Sequence, residues 1–196
     1  MEESGYRYKG TKKLAYGYTT GTCAAAAAQA ACIYHFTGAA PETVDIDTPG
    51  GIRLRLEVVE AYITETGASV CAIRKQSGDD PDVTNGVLVY AETAFQSIDY
   101  KMTCMSEKER VLIDGGAGVG RVTKPGLDQP VGAAAINSVP RQMIIHEVLQ
   151  VCEEFEYSGL VKVTISIPKG VELAEKTFNP RLGIEGGISV LGTSGI

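Results

Sequence analysis

The stretch Asp114–Gly132 most constrains the fold, because glycine is concentrated in it. Four of the six residues from 115 to 120 are glycine, and two more follow at 126 and 132. Glycine loses more backbone entropy on folding than any other residue, so a cluster is expected where φ must be positive or another body approaches closely. Backbone amides in such a loop can also cradle an anion. The stretch therefore predicts either a tight corner after a strand or a ligand-binding loop that uses Gly115, Gly116, Gly118 and Gly120.

The loop fails the tests for the two common nucleotide motifs. A dinucleotide fingerprint starting at Gly116 requires a third glycine where this chain has Arg121, and a phosphate-binding loop starting at Gly115 requires lysine there. The chain also continues into Lys124-Pro125-Gly126, which does not begin a long helix. A small-molecule phosphotransferase that holds phosphate in this loop stays an alternative, but the failed motifs count against it.

A second candidate site precedes an alanine-rich run. Alanine is the strongest helix former, so the run predicts a helix from Cys23 to about Phe36, capped by Thr22 and ended by Gly38. Amides at a helix N-terminus favour anions, and three hydroxyls lie beside them. The simplest alternative is that a threonine only caps the helix. The predicted substrate-binding residues are Thr19, Thr20, Gly21 and Thr22.

The third candidate site is an acidic turn between two predicted strands. Three aspartates fall within four positions around Pro81. All the neighbouring residue types favour turns, so a solvated acidic loop is one interpretation. The other is a carboxylate group that faces a cation or accepts a proton. On the second interpretation the candidate catalytic residues are Asp79, Asp80 and Asp82.

Hydrophobic periodicity predicts an α+β fold with layered strands and helices. Strands are expected within 43–75, 87–91, 110–113 and 160–167, and helices at 139–152 and 170–176. Residues 1–13 are expected to form a flexible arm, 14–185 the α+β domain, and 186–196 the start of a linker or second domain that is cut short here. That last segment contains a second glycine-hydroxyl loop, Gly192-Thr193-Ser194.

Charge and composition exclude several classes of protein. The formal net charge of -6 argues against a nucleic-acid partner, and no apolar run reaches membrane-spanning length. The five cysteines lack C-x-x-C spacing, and His35 and His146 lack nearby ligands, so no metal site is expected. The N-terminus lacks the apolar region of a signal peptide, which predicts a cytoplasmic protein.

Five separated stretches resemble the signatures of one family in the same order. They are residues 18–26 (YTTGTCAAA), 78–84 (GDDPDVT), 118–127 (GVGRVTKPGL), 179–184 (NPRLGI) and 186–196 (GGISVLGTSGI). The family is the cobalt-precorrin-5B C(1)-methyltransferases of the anaerobic cobalamin pathway. The resemblance covers nearly the whole chain, and five ordered motifs are far more specific than any single glycine loop.

The resemblance implies methyl transfer from S-adenosylmethionine to ring carbon 1 of a cobalt-precorrin, a tetrapyrrole. It also implies a layered mixed sheet with helices on one side, like a permuted ribosomal S5 domain 2, and a second α/β domain absent from this chain. We expect the glycines of the first loop, with Gly192, Thr193 and Ser194, to bind the cofactor, and Arg121 and Lys124 to bind substrate carboxylates. A non-catalytic binding or assembly domain stays a further alternative, and a homo-oligomer is left open.

Overall fold

The fold is built on a six-stranded mixed sheet, seen in a computed structural model that describes residues 6–9, 12–15, 17–96, 107–177 and 179–196. All neighbouring strands are antiparallel except the last pair, which is parallel. Numbered in chain order, the strands lie side by side as β3 (Thr43–Asp47), β4 (Arg53–Ile63), β5 (Ser69–Arg74), β6 (Leu88–Gln96), β10 (Leu160–Ser166) and β7 (Val111–Gly115).

Two long helices pack together on one face of this sheet. Helix α1 (Thr20–Thr37) contacts β3, β5, β6 and α2 (Ser138–Glu154), and α2 also contacts β7. The alanines of α1 from Ala24 to Ala28 are fully buried. Small side chains let the helix lie close to the sheet and to α2 at once, because each alanine of α1 adds only a methyl group to the space between them. The predicted α+β class with helices on one side is confirmed.

Buried residues alternate along β6 and β10 as the sequence periodicity predicts, whereas β5 is buried at all of positions 69–73. In β10, Val161, Val163 and Ile165 are buried, and the residues between them are not. The register sets Ile165 opposite Ala91 on β6, and Ala91 opposite Cys71 on β5. A one-residue slip would turn these apolar side chains to the other face, so burial fixes the register.

Short elements surround the glycine-rich stretch. Strand β8 (Gly118–Val119) pairs in parallel with β12 (Gly187–Ile188), and β9 (Arg121–Val122) pairs antiparallel with β11 (Ile184–Glu185). Two short helices, α3 (Gly170–Ala174) and α4 (Asn179–Leu182), lie between β10 and these strands in the chain. Gly186, at φ 78°, separates β11 from β12.

Both helices begin earlier than predicted, α1 by three residues and α2 by one. Helix α1 begins at Thr20 and its N-cap is Thr19, whose side chain accepts a hydrogen bond from the Thr22 amide. The C-terminal stop at Gly38 is confirmed, with φ 73°. Helix α2 begins at Ser138, and the Asp128 carboxylate receives that residue's amide at 2.5 Å. A carboxylate ten residues before the helix therefore caps α2.

The N-terminal region contains a two-stranded hairpin, β1 (Tyr6–Lys9) with β2 (Lys12–Ala15). Residues 1–5, 10 and 11 of the expected arm lie outside the described residues, and the arm itself stays a prediction. The stretch from 95 to 107, which the sequence left unassigned, is described at its two ends. Strand β6 extends to Gln96, a 3-10 turn spans Glu107–Arg110, and residues 97–106 lie outside the described part.

Candidate functional site

A cleft of about 910 Å³ opens where three segments that are distant in sequence meet. Its walls come from residues within 17–20, 75–84 and 188–196, and Gly50, Ile52, Thr177 and Asn179 complete it. Small-molecule sites usually occupy about 300–1,000 Å³. The cleft therefore has the size to hold one small ligand.

The last segment of the chain binds directly to the start of α1. The Gly21 amide donates to the Leu191 carbonyl at 3.1 Å, and the Thr19 amide donates to the Gly195 carbonyl at 3.2 Å. Amides in the first turn of a helix have no partner within the helix, which is why they attract anions. Here backbone carbonyls already occupy these two donors.

Each of the three predicted threonine hydroxyls also has a partner within the protein. Thr22 is fully buried and donates to the Gly195 carbonyl at 2.6 Å. Thr20 donates to the Leu191 carbonyl and accepts from its amide. Thr19 and Thr20 line the cleft, whereas Gly21 and Thr22 lie behind it. A substrate contact by these four residues stays a prediction.

The second glycine-hydroxyl loop closes this end of the cleft. Gly192 has φ 141° and lies against Thr19, so a side chain there would overlap the threonine. The Ser194 hydroxyl donates to the Ile196 carbonyl at 2.6 Å, and the Ser194 carbonyl accepts from the Gly50 amide at 2.8 Å. Of the three predicted cofactor residues in the loop, Ser194 lines the cleft, whereas Thr193 is exposed.

Lys75 is a cleft residue that the sequence reasoning missed. Its side chain is only 4% exposed, and its ammonium donates to Ser77 Oγ at 2.6 Å and to Asp82 Oδ2 at 2.7 Å. Burying an ammonium is costly unless it is paired and hydrogen-bonded. A signal was present, because the two-residue period of β5 puts position 75 on the same inward face as Cys71 and Ile73.

The three predicted catalytic aspartates all line the cleft, but they differ in their surroundings. Both carboxylate oxygens of Asp82 accept hydrogen bonds, one from the Lys75 ammonium and the other from the Thr84 amide at 2.8 Å. Burial acts to raise the pKa of Asp82, but the Lys75 ammonium and the Thr84 bonds outweigh it, and the pKa is lowered. Asp82 is therefore a fixed carboxylate, whereas Asp79 and Asp80 are exposed at the rim.

Carboxylates dominate the cleft, but they do not form a metal site. Three aspartates and one lysine give the lining a formal charge of −2. Within the described ranges, no three histidine, cysteine, aspartate or glutamate side chains are grouped to hold a metal ion. The charge of the cleft suits a cationic organic ligand better than a polyanion.

None of the four glycines of the first loop lines the cleft, although the Gly120 amide donates to the carbonyl of the cleft residue Ile188 at 2.9 Å. A Cβ at Gly118 would overlap the Ile167 carbonyl, and one at Gly116 would overlap the Ser166 hydroxyl. A Cβ at Gly115 would come within 2.7 Å of Val119 Cγ1, and one at Gly120 would overlap Ile184. Packing of the protein against itself thus accounts for glycine at all four positions, and cofactor binding there stays a prediction.

The two cationic residues that were predicted to bind substrate, Arg121 and Lys124, lie beside the glycine loop. Arg121 contacts Asp114 Oδ1 at 2.6 Å and donates to the Gly115 carbonyl at 2.8 Å. This guanidinium holds the pKa of Asp114 below its usual value. Lys124 donates to the Arg181 carbonyl at 3.2 Å. Neither residue lines the cleft, and their proposed contact with substrate carboxylates is untested.

Comparisons with known proteins give a consistent result. A family model described as CbiD matches residues 7–196. A protein named cobalt-precorrin-5B C(1)-methyltransferase from Thermoanaerobacter sp. (strain X514) is 51% identical over 191 residues, which are 97% of this chain and 48% of that protein. A protein of the same name from Ruminiclostridium cellulolyticum is 48% identical over 196 residues, 100% of this chain and 47% of the relative.

A solved structure agrees with the fold. The crystal structure of the cobalamin biosynthesis protein cbiD from Archaeoglobus fulgidus is 34% identical, with a TM-score of 0.71 over 97% of this chain and 56% of that one. The chain thus spans about half the length of the curated relatives it matches. Among the described helices, none has the length and apolar character needed to cross a membrane.

Proposed function

The chain belongs to the CbiD family, and on this premise we propose that it forms part of the machinery that methylates ring carbon 1 of cobalt-precorrin-5B in anaerobic cobalamin biosynthesis. The methyl donor in this proposal is S-adenosylmethionine. Relatives 48–51% identical to the chain carry the name of this methyltransferase, which supports the proposal. The finer likeness to a permuted ribosomal S5 domain is part of the same proposal.

The observation that carries the proposal is the meeting of family-like stretches at one cleft. Residues from 18–26, 78–84 and 186–196 all line it, although they come from the two ends and the middle of the chain. Of the remaining two stretches, 179–184 adds Asn179 to the lining, and it meets 118–127 beside the cleft. Gly120 packs against Ile184, and Lys124 packs against Gly183. A glycine loop that only turned the chain would not require these stretches to meet.

The cleft offers groups suited to methyl transfer from a sulfonium. Such a reaction needs alignment of donor and acceptor more than it needs a strong acid or base, and positioning can lower a barrier by several kcal/mol, up to about 7–11. Asp79 and Asp80 lie at the rim, where they would face the positive sulfonium or take the proton released from the substrate. Asp82 is held by Lys75 and serves to position that lysine.

Binding calorimetry separates this function from its alternatives. The chain is titrated with S-adenosylhomocysteine, cobalt-precorrin-5B and ATP in turn, and methyl transfer is followed by the mass of the tetrapyrrole. Binding of the first two ligands and a product heavier by one methyl group are expected. Tight binding of ATP with neither of the others would replace the proposal with a phosphotransferase. Binding of none of the three would favour an assembly domain.

A further inference from the structure

Lys75 provides a buried positive charge at the wall of an acidic cleft. A lysine ammonium has three N–H donors. Two of them are used within the described part of the chain, by Ser77 Oγ at 2.6 Å and by Asp82 Oδ2 at 2.7 Å. Because Lys75 lines the cleft, its third donor is available to a ligand there. The group best suited to that donor is a carboxylate, since charge-assisted hydrogen bonds are the strong ones.

The support around Lys75 fixes the ammonium in position. Asp82 holds it from one side and is itself held by the Thr84 amide. Ser77, which is 5% exposed, holds it from another side and is anchored through its amide to Asn85 Oδ1 at 3.0 Å. A flexible lysine loses rotamer entropy when it binds a ligand. Here the turn has already ordered the side chain, so less is lost on binding.

The remaining charges of the cleft disfavour a polyanion. Asp79 and Asp80 stand exposed at the rim, and with Asp82 they leave a formal charge of −2 despite Lys75. The acetate and propionate arms of a corrin precursor would be repelled by this lining. A small ligand with one carboxylate and two cationic groups is complementary to it. The charged tail of a sulfonium methyl donor is such a ligand, with a carboxylate, an ammonium and a sulfonium.

We infer that the cleft is the subsite for the amino-acid tail of the methyl donor, with Lys75 binding the tail carboxylate and Asp79 and Asp80 facing its cationic groups. This inference rests on the function proposed above and deepens it. It places the donor at the acidic turn and the helix start, where Thr19, Thr20 and Ser194 also line the cleft. The tetrapyrrole then approaches from the open side of the cleft, and its acidic arms lie away from the aspartates.

The test compares two ligands that differ in the tail alone. S-adenosylhomocysteine carries the amino-acid tail, and 5′-methylthioadenosine has the same adenosine and a thioether without it. For Lys75→Met, affinity for S-adenosylhomocysteine is expected to fall by about tenfold or more, while affinity for methylthioadenosine stays within about twofold. Lys162→Met is the matched control, since it removes an exposed lysine on β10 outside the cleft lining, and it is expected to change neither affinity.

Folding is controlled separately, because Lys75→Met leaves Asp82 without its ammonium. The double variant Lys75→Met/Asp82→Asn removes both charges and is expected to fold and to show the same selective loss. Asp80→Asn changes an exposed side chain. It is expected to lower the affinity for S-adenosylmethionine by at least about threefold and to change the affinity for methylthioadenosine little. Either folded lysine variant that keeps full affinity for S-adenosylhomocysteine overturns the inference, and so does a wild-type chain that does not bind it.

Failure of this inference is distinguishable from failure of the proposed function. If methyl transfer to cobalt-precorrin-5B proceeds and Lys75→Met leaves the KM for the donor unchanged, the function stands and the subsite is wrong. If S-adenosylhomocysteine binding depends on Lys75 but no methyl group reaches cobalt-precorrin-5B, the subsite stands and the function is wrong.

Discussion

Thr20 and Leu191 exchange two hydrogen bonds across 171 positions of the chain. The Thr20 hydroxyl donates to the Leu191 carbonyl at 3.2 Å, and the Leu191 amide donates to the same hydroxyl at 3.1 Å. Leu191 also accepts from the Gly21 amide. The start of α1 and the last segment are therefore one structural unit, and this unit forms one wall of the cleft.

Thr20→Val tests that unit, because valine keeps the shape of threonine and removes both bonds. The variant loses both hydrogen bonds of this part-buried pair, which together contribute about 1–3 kcal/mol to stability. We expect the free energy of unfolding to fall by about that amount in urea denaturation. Thr43→Val, on an exposed strand position, is the control and should change stability by less than about 0.5 kcal/mol. Equal stability of the two variants would contradict the role of the Thr20–Leu191 pair.

Gly118→Ala tests whether packing explains the glycine loop. Gly118 has φ 75°, and a Cβ there would overlap the Ile167 carbonyl. Gly126 has φ 93° with nothing within 4 Å of an added Cβ. Gly126→Ala is therefore the control. Gly118→Ala and Gly126→Ala both carry the strain of positive φ, about 1–3 kcal/mol, but Gly118→Ala adds an overlap with backbone. Thermal unfolding should show a clearly larger loss for Gly118→Ala. A loss of S-adenosylhomocysteine affinity without that loss of stability would instead support cofactor binding by the loop.

The buried side chain of Glu147 is expected to make the free energy of unfolding depend on pH, independently of the cleft. The residue is 3% exposed on α2 and accepts from Gln29 Nε2 at 2.8 Å. Burial, with a smaller effect of Asp47, raises the pKa of Glu147 from 4.5 to about 7. The folded state thus holds the proton more tightly than the unfolded state does. Its contribution to stability is full below pH 4.5 and is lost as the pH rises through about 7.

Glu147→Gln should therefore remove this pH dependence. Each pKa unit corresponds to about 1.4 kcal/mol, so the variant should be more stable than the wild type at pH 8 by up to about 3 kcal/mol, and similar to it at pH 4. Glu153→Gln, on an exposed position of the same helix, should show the pH dependence of the wild type. Parallel stability curves for wild type and Glu147→Gln between pH 4 and 8 would refute this assignment.

Asp128→Ala tests the cap of α2. The Asp128 carboxylate accepts from the Ser138 amide at 2.5 Å and from the Ser138 hydroxyl at 2.9 Å. Removing an N-terminal cap costs about 0.5–2 kcal/mol. We expect a loss in that range in urea denaturation, whereas Glu65→Ala in an exposed turn should have little effect. A neutral result for Asp128→Ala would indicate that solvent caps the helix equally well.

The sequence alone determined what depends on local spacing. The two-residue alternation of Val161, Val163 and Ile165 predicted their common buried face, and the alanine run predicted α1 with its stop at Gly38. Local composition also identified the acidic turn as a candidate site. These features follow from the geometry of a single strand or helix, in which neighbours in sequence are neighbours in space.

The tertiary structure decided where those features meet and which groups complete their hydrogen bonds and contacts. It joined Thr20 to Leu191, and it buried Lys75 beside Asp82. It also filled the space around Gly118 with the Ile167 carbonyl, which no local pattern contains. The physical reason is that polar groups at helix ends and glycine contacts are completed by partners far away in the chain. Only the folded arrangement of the sheet, the helices and the last segment brings those partners into contact.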